Sequence, residues 1–279
     1  MVELCGILNG TCNYILTRIE NAGISFAEAL AEAQKLGFAE ANPAEDVDGY
    51  DARAKITILC RVGLHCAVAH SEIPTRSISI IEPIDFEYAK LLDCTIRQIS
   101  RAEKTPDQNN ARLLASVEPT LVHRSSPLAS VEGPQNLVMS TGKFGGETIF
   151  AGHGAGGNAT AVAVVGDLIS IVRLRQIGGV AIHENGLRHL PVSSDFTTRH
   201  YLRFMVKDEP GIIAALATIF SKAGINIDSV FQKPGFPASK LPFVITLEPC
   251  STSLVEEALK QINQLPFLVQ PCVALPILD

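Results

Sequence analysis

The sequence predicts an α+β protein built in two successive parts. In the first part, helix signals dominate up to about residue 92, and strand signals follow over 96–99, 111–122 and 136–140. From residue 200 onward, strand and helix signals come in the order βαββαβ, with the last strand expected at 267–273. A stretch rich in glycine, asparagine, proline and serine lies between the two parts. We therefore expect domains at 1–177 and 199–279, joined by a linker at 178–198.

Composition restricts the class of protein. The chain has 279 residues, of which 47% are hydrophobic and 19% charged, which is typical of a globular protein with room for two cores. Its net charge of -6, without a long basic run, argues against a nucleic-acid partner. We find no apolar stretch of membrane-spanning length and no signal peptide, so we expect no membrane association.

Cysteine usage indicates the compartment. The seven cysteines are scattered and form no Cys-x-x-Cys pair, so we expect free thiols in a reducing, cytoplasmic environment. His65, Cys66 and His70 lie close together, but no second ligand pair follows them. We therefore expect no metal site.

The N-terminal segment predicts a strand, a turn and a helix. Residues 1–8 form a short apolar run, and Asn9-Gly10-Thr11 is a turn that leads into a helix over 12–21, which Gly23 ends. Backbone amides at such a helix start can bind a carboxylate. A plain turn and cap would give the same pattern.

Charged residues crowd into the segment 36–55, namely Glu40, Glu45, Asp46, Asp48, Asp51 and Lys55. Asp48 is a good N-cap, so we expect a helix to begin near Gly49 and to place Asp51 and Lys55 one turn apart. A carboxylate beside an ammonium on a rigid helix can hold a small zwitterion and move a proton. A solvated capping turn with a routine ion pair is the alternative, and charge pattern alone favours it.

Two further segments receive a secondary-structure prediction from their patterns. Apolar and polar residues alternate over 73–84, which predicts a half-buried strand, and Asp85 is expected to cap the helix behind it. Gly152-His153-Gly154-Ala155-Gly156-Gly157 fits the dinucleotide-binding pattern G-x-G-x-x-G between a strand and a helix at about 159–172. A Rossmann domain is not expected here, because the motif lies mid-chain and no further βα units follow it.

The order of residue types in two long segments resembles the homoserine dehydrogenase family. One segment reads Gly-Phe-Ala-Glu at 37–40, then Pro43, then Asp-Val-Asp-Gly-Tyr-Asp-Ala-x-x-Lys at 46–55. The other reads Gly-Ile-Leu-Asn-Gly-Thr-Cys-Asn-Tyr-Ile-Leu-Thr at 6–17. The Gly-x-Gly-Ala-Gly run at 152–156 is similar to a loop of the same family. Phe38 and His153 depart from the family, which usually has tyrosine and proline there.

The resemblance implies a mostly antiparallel catalytic sheet with helices on one face. It also implies the reversible, NAD- or NADP-linked interconversion of L-homoserine and L-aspartate 4-semialdehyde, on the route to threonine, methionine and isoleucine. Lys55 would be the acid/base, and Asp51 would orient it. The expected substrate-binding residues are Glu40, Asp46, Gly10 and Thr11.

The resemblance further implies a nicotinamide site, bordered in this chain by Gly6, Asn9, Gly154 and Gly156. The family places its main nucleotide site in an N-terminal Rossmann domain, which this sequence lacks. We therefore expect the catalytic and regulatory portion of such an enzyme, either truncated or split from a separate Rossmann-domain partner, and inactive or impaired alone. A homodimer or homotetramer is expected.

The second part resembles an ACT domain, a ferredoxin-like regulatory module that commonly binds amino acids. The resemblance rests on Asp-Glu-Pro-Gly at 208–211 and Ala-Gly-Ile-Asn-Ile at 223–227. It implies Asp208, Gly211 and Asn226 as contacts of an effector such as threonine. A non-catalytic, amino-acid-binding regulator is the alternative function. Glu40, Asp51 and Lys55 together favour the enzyme, since a regulator needs none of them.

Overall fold

The computed structural model describes residues 2–105, 111–176 and 187–278. In its first part, helices cover one face of a sheet. The 3₁₀ turns lie at His70–Glu72, Ile78–Ile80 and Pro127–Ser130. The remaining elements of this part are β1 (Glu3–Ile7), α1 (Gly10–Ala22), α2 (Phe26–Lys35), α3 (Ala44–Val47), α4 (Tyr50–Gly63), β2 (Cys66–Ala67), α5 (Pro83–Leu91), β3 (Cys94–Lys104), β4 (Leu113–His123), β5 (Gln135–Gly142), β6 (Gly146–His153) and α6 (Gly157–Gln176).

The second part has the predicted βαββαβ order. Two short strands, β7 (Arg188–His189) and β8 (Val192–Ser193), precede it. Its own elements are β9 (Thr197–Val206), α7 (Ile212–Lys222), β10 (Ile227–Phe231), β11 (Leu241–Ser251), α8 (Thr252–Ile262) and β12 (Val273–Leu278). Residues 178–186 of the expected linker lie outside the described residues. The rest of that segment contains β7, β8 and the start of β9.

One sheet runs through both parts of the described chain. Its strand order is β10-β11-β9-β12-β4-β3-β1-β5-β6, with β8 beside β4. Pairing is antiparallel along this order except between β12 and β4, where Ile277 faces Leu121 and Leu278 faces Val122 in parallel register. The expectation of a mostly antiparallel sheet is therefore confirmed.

Alternation along β3 places the helices of the first part on one face of the sheet. Ile96 belongs to a core with α1, α2 and α5, and Ala102 to a core with α4. Ile99 points the other way and packs with Leu128 of a 3₁₀ turn. In the second part, Leu202 and Phe204 of β9 pack under α7 and α8.

Three predictions about local structure are wrong. Residues 73–84 form no strand, because Ser77 accepts a bond from the Ser79 amide and starts the 3₁₀ turn at Ile78–Ile80. The final strand lies at Val273–Leu278 and not at 267–273, since β12 fits between β9 and β4. Asp85 is not the cap of α5: Glu82 precedes the helix, and Asp85 lies in its first turn.

The cap predicted for α4 is also wrong. Gly49 is the N-cap, with a φ of 82°, and Asp48 ends the short helix α3 instead. The left-handed conformation favours glycine, and it lets the chain turn directly from α3 into α4. Asp51 and Lys55 still lie one turn apart on α4, as predicted.

Helix α6 overturns one statement about composition. By length and composition it could cross a membrane, whereas we expected no such stretch. None of its residues is buried in this structure. No disulfide forms among the described residues, which include all seven cysteines.

Candidate active site

A cleft of about 520 Å³ opens where α1, α4 and the glycine loop after β6 meet. The turn at Asn9 supplies one wall, α4 supplies a second, and the loop at Gly154 supplies a third. The cleft is lined by Asn9, Gly10, Thr11, Leu36, Gly37, Phe38, Asp46, Asp51, Lys55, Pro134, Asn136, His153, Gly154, Ala155 and Gly156.

Lys55 is held by two acceptors. Its Nζ donates to Asp51 Oδ2 over 2.6 Å and to the Leu8 carbonyl over 3.1 Å. The side chains of Lys55 and Asp51 remain 44% and 33% exposed, so the pair can be reached from the cleft. Because the i,i+4 spacing fixes Asp51 beside Lys55, the ammonium has a defined direction.

Asn9 connects this pair to a second carboxylate. Its Oδ1 caps α1 by accepting from the Cys12 amide over 2.8 Å. Its Nδ2 donates to Asp46 Oδ1 over 2.6 Å and to Asp51 Oδ2 over 2.8 Å. One amide therefore separates two carboxylates that would otherwise repel each other.

The environment of Asp46 favours its protonated form. Burial raises the pKa of the Asp46 carboxyl, while the bond from Asn9 opposes that rise. The charges of Asp51 and Glu40 add to the rise, and Lys55 lowers it. A carboxyl group with a raised pKa next to an ammonium is typical of a site that binds or moves protons.

The other predicted substrate residues fall in different positions. Gly10 and Thr11 line the cleft, and Thr11 Oγ1 donates to the Phe38 carbonyl over 2.7 Å. Glu40 is exposed and is not a lining residue, although its charge reaches Asp46.

The residues predicted to border the nicotinamide are also divided. Gly154 and Gly156 line the cleft together with Asn9. Gly6 lies inside β1, where an added Cβ would be 2.4 Å from the Leu137 carbonyl oxygen, and it does not line the cleft. The glycine motif follows β6, which pairs antiparallel with β5. That arrangement differs from the parallel βαβ unit of a Rossmann domain.

Sequence reasoning missed Asn136 as a cleft residue. It lies on β5 opposite Gly152, and its Nδ2 is 3.4 Å from the Leu8 carbonyl that also receives Lys55. The available sequence signal was a polar residue directly before the apolar run 137–139. Its register opposite Gly152 appears only in the folded sheet.

A second cleft, of about 310 Å³, lies in the βαββαβ part. Asp208 and Gly211 line it at the start of α7, where Gly211 has a φ of 100°. Asn226 lies beyond the other end of α7 and donates to Glu248 over 3.0 Å. The structure thus brings two of the three predicted effector residues together.

Comparison with known proteins identifies both parts. The family described as homoserine dehydrogenase matches residues 1–169, and the ACT domain family matches residues 200–267. The homoserine dehydrogenase of Mycobacterium tuberculosis is 40% identical over 236 residues, which cover 84% of this chain and 54% of the relative. That of Synechocystis is 36% identical over 272 residues, covering 94% and 62%.

Solved structures agree with these matches. A crystal structure of a homoserine dehydrogenase from Thiobacillus denitrificans superposes with a TM-score of 0.91 at 30% identity, covering 100% of this chain and 64% of that one. A Staphylococcus aureus homoserine dehydrogenase superposes with a TM-score of 0.77 at 26% identity. The chain spans 54% of the Mycobacterium relative and 64% of the Thiobacillus structure. The chain belongs to the homoserine dehydrogenase family and carries an ACT domain in its C-terminal part.

Proposed function

We propose that this chain is the substrate-binding and regulatory part of a homoserine dehydrogenase. The reaction would interconvert L-homoserine and L-aspartate 4-semialdehyde with NAD or NADP in the cytoplasm. The observation that carries the proposal is the Lys55 ammonium, fixed by Asp51 and the Leu8 carbonyl and open to the cleft.

In this proposal Lys55 is the proton donor to the aldehyde oxygen during reduction, and it takes the proton back during oxidation. Asp51 holds the ammonium in place and neutralises part of its charge. A bound nicotinamide supplies or accepts the hydride. Reduction then adds a hydride to the carbonyl carbon and a proton to its oxygen, which balances the conversion of aldehyde to alcohol.

The substrate's amino acid end would be held by the remaining polar groups of the cleft. Asp46 offers a carboxyl group to the substrate ammonium. Glu40, outside the cleft, adds a second negative charge near Asp46. The free amides at the start of α1, at Gly10 and Thr11, suit the substrate carboxylate, since helix N-termini favour anions.

The glycine loop suits the approach of a flat nicotinamide ring. Gly154 and Gly156 present backbone without side chains to the cleft, on the wall opposite Lys55. Gly6, outside the cleft, would allow β1 and β5 to pack closely. The described residues contain no βαβ nucleotide site, so the main cofactor contacts would come from a separate Rossmann domain.

Helix α6 is the proposed docking surface for that domain. Its apolar side chains point over roughly 240° of the helix circumference at 100° per residue. They include Val162, Val164, Val165, Leu168, Ile169, Ile171, Val172 and Leu174, all exposed. The helix starts next to Gly156 of the cleft, so a domain that delivers a nicotinamide there would cover its nearer face. A second copy of the chain, in a homodimer or homotetramer, would cover the remainder.

Two experiments test this function. NADPH oxidation with L-aspartate 4-semialdehyde should be slow or absent for the chain alone and should appear when a separately expressed nucleotide-binding domain is added. Leu168→Glu on α6 should weaken that association, whereas Leu254→Glu, an exposed apolar residue of α8, should not. Full turnover by the chain alone would contradict the need for a partner domain.

The ACT domain would report an amino acid to the catalytic part. Threonine is the first ligand to test, at the cleft of Asp208 and Gly211, with Asn226 as a residue that acts from the far end of α7. Threonine binding without any homoserine binding, and without turnover in the presence of the partner domain, would instead support the non-catalytic regulator.

A further inference from the structure

Asn136 touches two walls of the cleft at once. Its Nδ2 lies 3.4 Å from the Leu8 carbonyl oxygen, which also accepts from Lys55 Nζ at 3.1 Å. The same Nδ2 also lies against Gly154 of the glycine loop, where an added Cβ would be 1.9 Å from Nδ2 and 2.8 Å from Cγ. Asn136 is therefore a bridge between the lysine wall and the loop wall.

The orientation of the amide follows from chemistry. The Leu8 carbonyl can only accept, so the NH₂ group of Asn136 must face it. The Oδ1 atom then faces away and, among the described residues, has no hydrogen-bond partner although it is buried. One long bond and one unmatched acceptor contribute little to folding, because burying an unpaired acceptor is costly.

Asn136 occupies the space that a side chain at position 154 would need. The φ of Gly154 is not in the left-handed region, unlike that of Gly156 at 114°. A Cβ at 154 would overlap the amide of Asn136, so a larger residue there would push that amide away from the Leu8 carbonyl. The size of the residue at 136 thus sets how near the loop can come to Lys55.

We propose that Asn136 is a positioning residue of the catalytic cleft, which fixes the Leu8 carbonyl that orients Lys55 and sets the distance of the Gly154 loop from Lys55. This inference rests on the proposed function for its consequence in catalysis. The arrangement of Asn136, Lys55 and Gly154 can be tested whether or not that function holds.

The first test measures homoserine binding to the full chain by calorimetry, beside thermal unfolding. Asn136→Ala should unfold near the wild-type temperature and bind homoserine roughly tenfold more weakly, since small misplacements of a catalytic group are costly. Gln135→Ala, the exposed neighbour on β5, is the matched control and should bind as wild type does. Wild-type affinity in Asn136→Ala would overturn the proposal.

Asn136→Asp supplies a readout that a purely structural role would not move. Above its pKa the new carboxylate faces the Leu8 carbonyl without a proton to donate. As the pH falls, the carboxylic acid regains an O–H donor, so affinity relative to wild type at the same pH should recover. Asp46, Asp51, Lys55 and His153 line the same cleft, so wild type is measured at each pH as the reference. A deficit that does not change with pH would contradict the proposal.

Two measurements need no homoserine and separate this proposal from the proposed function. The NMR resonance of Lys55 Nζ, assigned by its loss in Lys55→Arg, should change its chemical shift in Asn136→Ala and keep it in Gln135→Ala. Gly154→Ala should lower the unfolding temperature, and Gly154→Ala combined with Asn136→Ala should restore most of that loss. If wild type binds no homoserine but these two effects appear, the proposed function fails and the positioning role stands. If neither effect appears, the positioning role fails.

Discussion

Arg203 donates from Nε to Asp85 Oδ1 over 2.7 Å, and the two side chains are only 1% and 0% exposed. The contact joins β9 of the ACT part to α5 of the first part. Tyr201 donates to the same carboxylate oxygen over 2.8 Å, and Glu82 accepts from Arg203 Nη1. Burial raises the pKa of Asp85, and the charge of Arg203 opposes that rise.

Replacing Asp85 by alanine should therefore destabilise the chain strongly. It leaves Arg203 Nε and the buried Tyr201 hydroxyl without their acceptor. Breaking a buried ion pair typically costs about 3–5 kcal/mol, and the remaining bond from Arg203 to Glu82 offsets part of that loss. Unfolding in urea measures the loss. Glu82→Gln is the control, because Glu82 is 43% exposed and its pairing is screened by water. Equal losses in the two variants would show that the buried carboxylate has no special role.

Lys55→Met should lower turnover, assayed with the nucleotide-binding domain present, by roughly 10²–10⁴-fold, the usual contribution of a positioned acid/base. Lys55→Arg keeps the charge but holds its proton too tightly to exchange it, so it should be almost as slow. Lys35→Met, in the last turn of α2, is the matched control. Retained activity in Lys55→Met would remove Lys55 from the chemistry.

Asn9→Ser and Asn9→Ala should separate two roles of Asn9, namely the N-cap of α1 and the bond between Asp46 and Asp51. Serine keeps an acceptor for the Cys12 amide, whereas alanine loses the cap at a cost of about 1 kcal/mol. Both lose the donor that lies between Asp46 and Asp51, so both should raise the pKa of Asp46 further and weaken homoserine binding. Carboxyl NMR titration of Asp46 checks the first effect. An unchanged Asp46 titration would mean that the bond from Asn9 is weak in solution.

His200 should contribute to acid unfolding. Burial lowers its pKa from about 6.5 to about 4, so the folded chain binds its proton less readily than the unfolded chain does. Its stabilising effect is complete above pH 6.5 and is lost as the pH falls towards 4, by roughly 3 kcal/mol in all. His200→Gln should flatten the fall in unfolding free energy over that window.

Local signals predicted only part of the site. Asp51 and Lys55 are neighbours on one helix, so their i,i+4 spacing was sufficient. The partner of Asn9 at Asp46 is 37 residues away, and the acceptor of Lys55 at Leu8 is 47 residues away. Such contacts depend on how α1, α3 and α4 pack, which no residue pattern contains.

The wrong strands have a related cause. Ile78 and Ile80 alternate with serines, as in a half-buried strand. The buried side chains are instead Ile78 and Ile81, at the i,i+3 spacing of a 3₁₀ turn, and Ile80 is only partly buried. At the C-terminus, both 267–273 and 273–278 are apolar enough to pair. The open edges of β9 and β4 select the second, and those edges exist only in the assembled sheet.

The position of β12 between β9 and β4 restricts how the ACT part can move. The β12–β4 pairing crosses the boundary between the two parts, whereas the β12–β9 pairing lies within the ACT part. A hinge at that boundary would therefore break the hydrogen bonds between β12 and β4. A ligand at Asp208 and Gly211 could then reach the Lys55 cleft only by changing the twist or shear of one elastic sheet. An effector bound there would act on the Lys55 cleft through the pairing of Ile277 with Leu121 and of Leu278 with Val122.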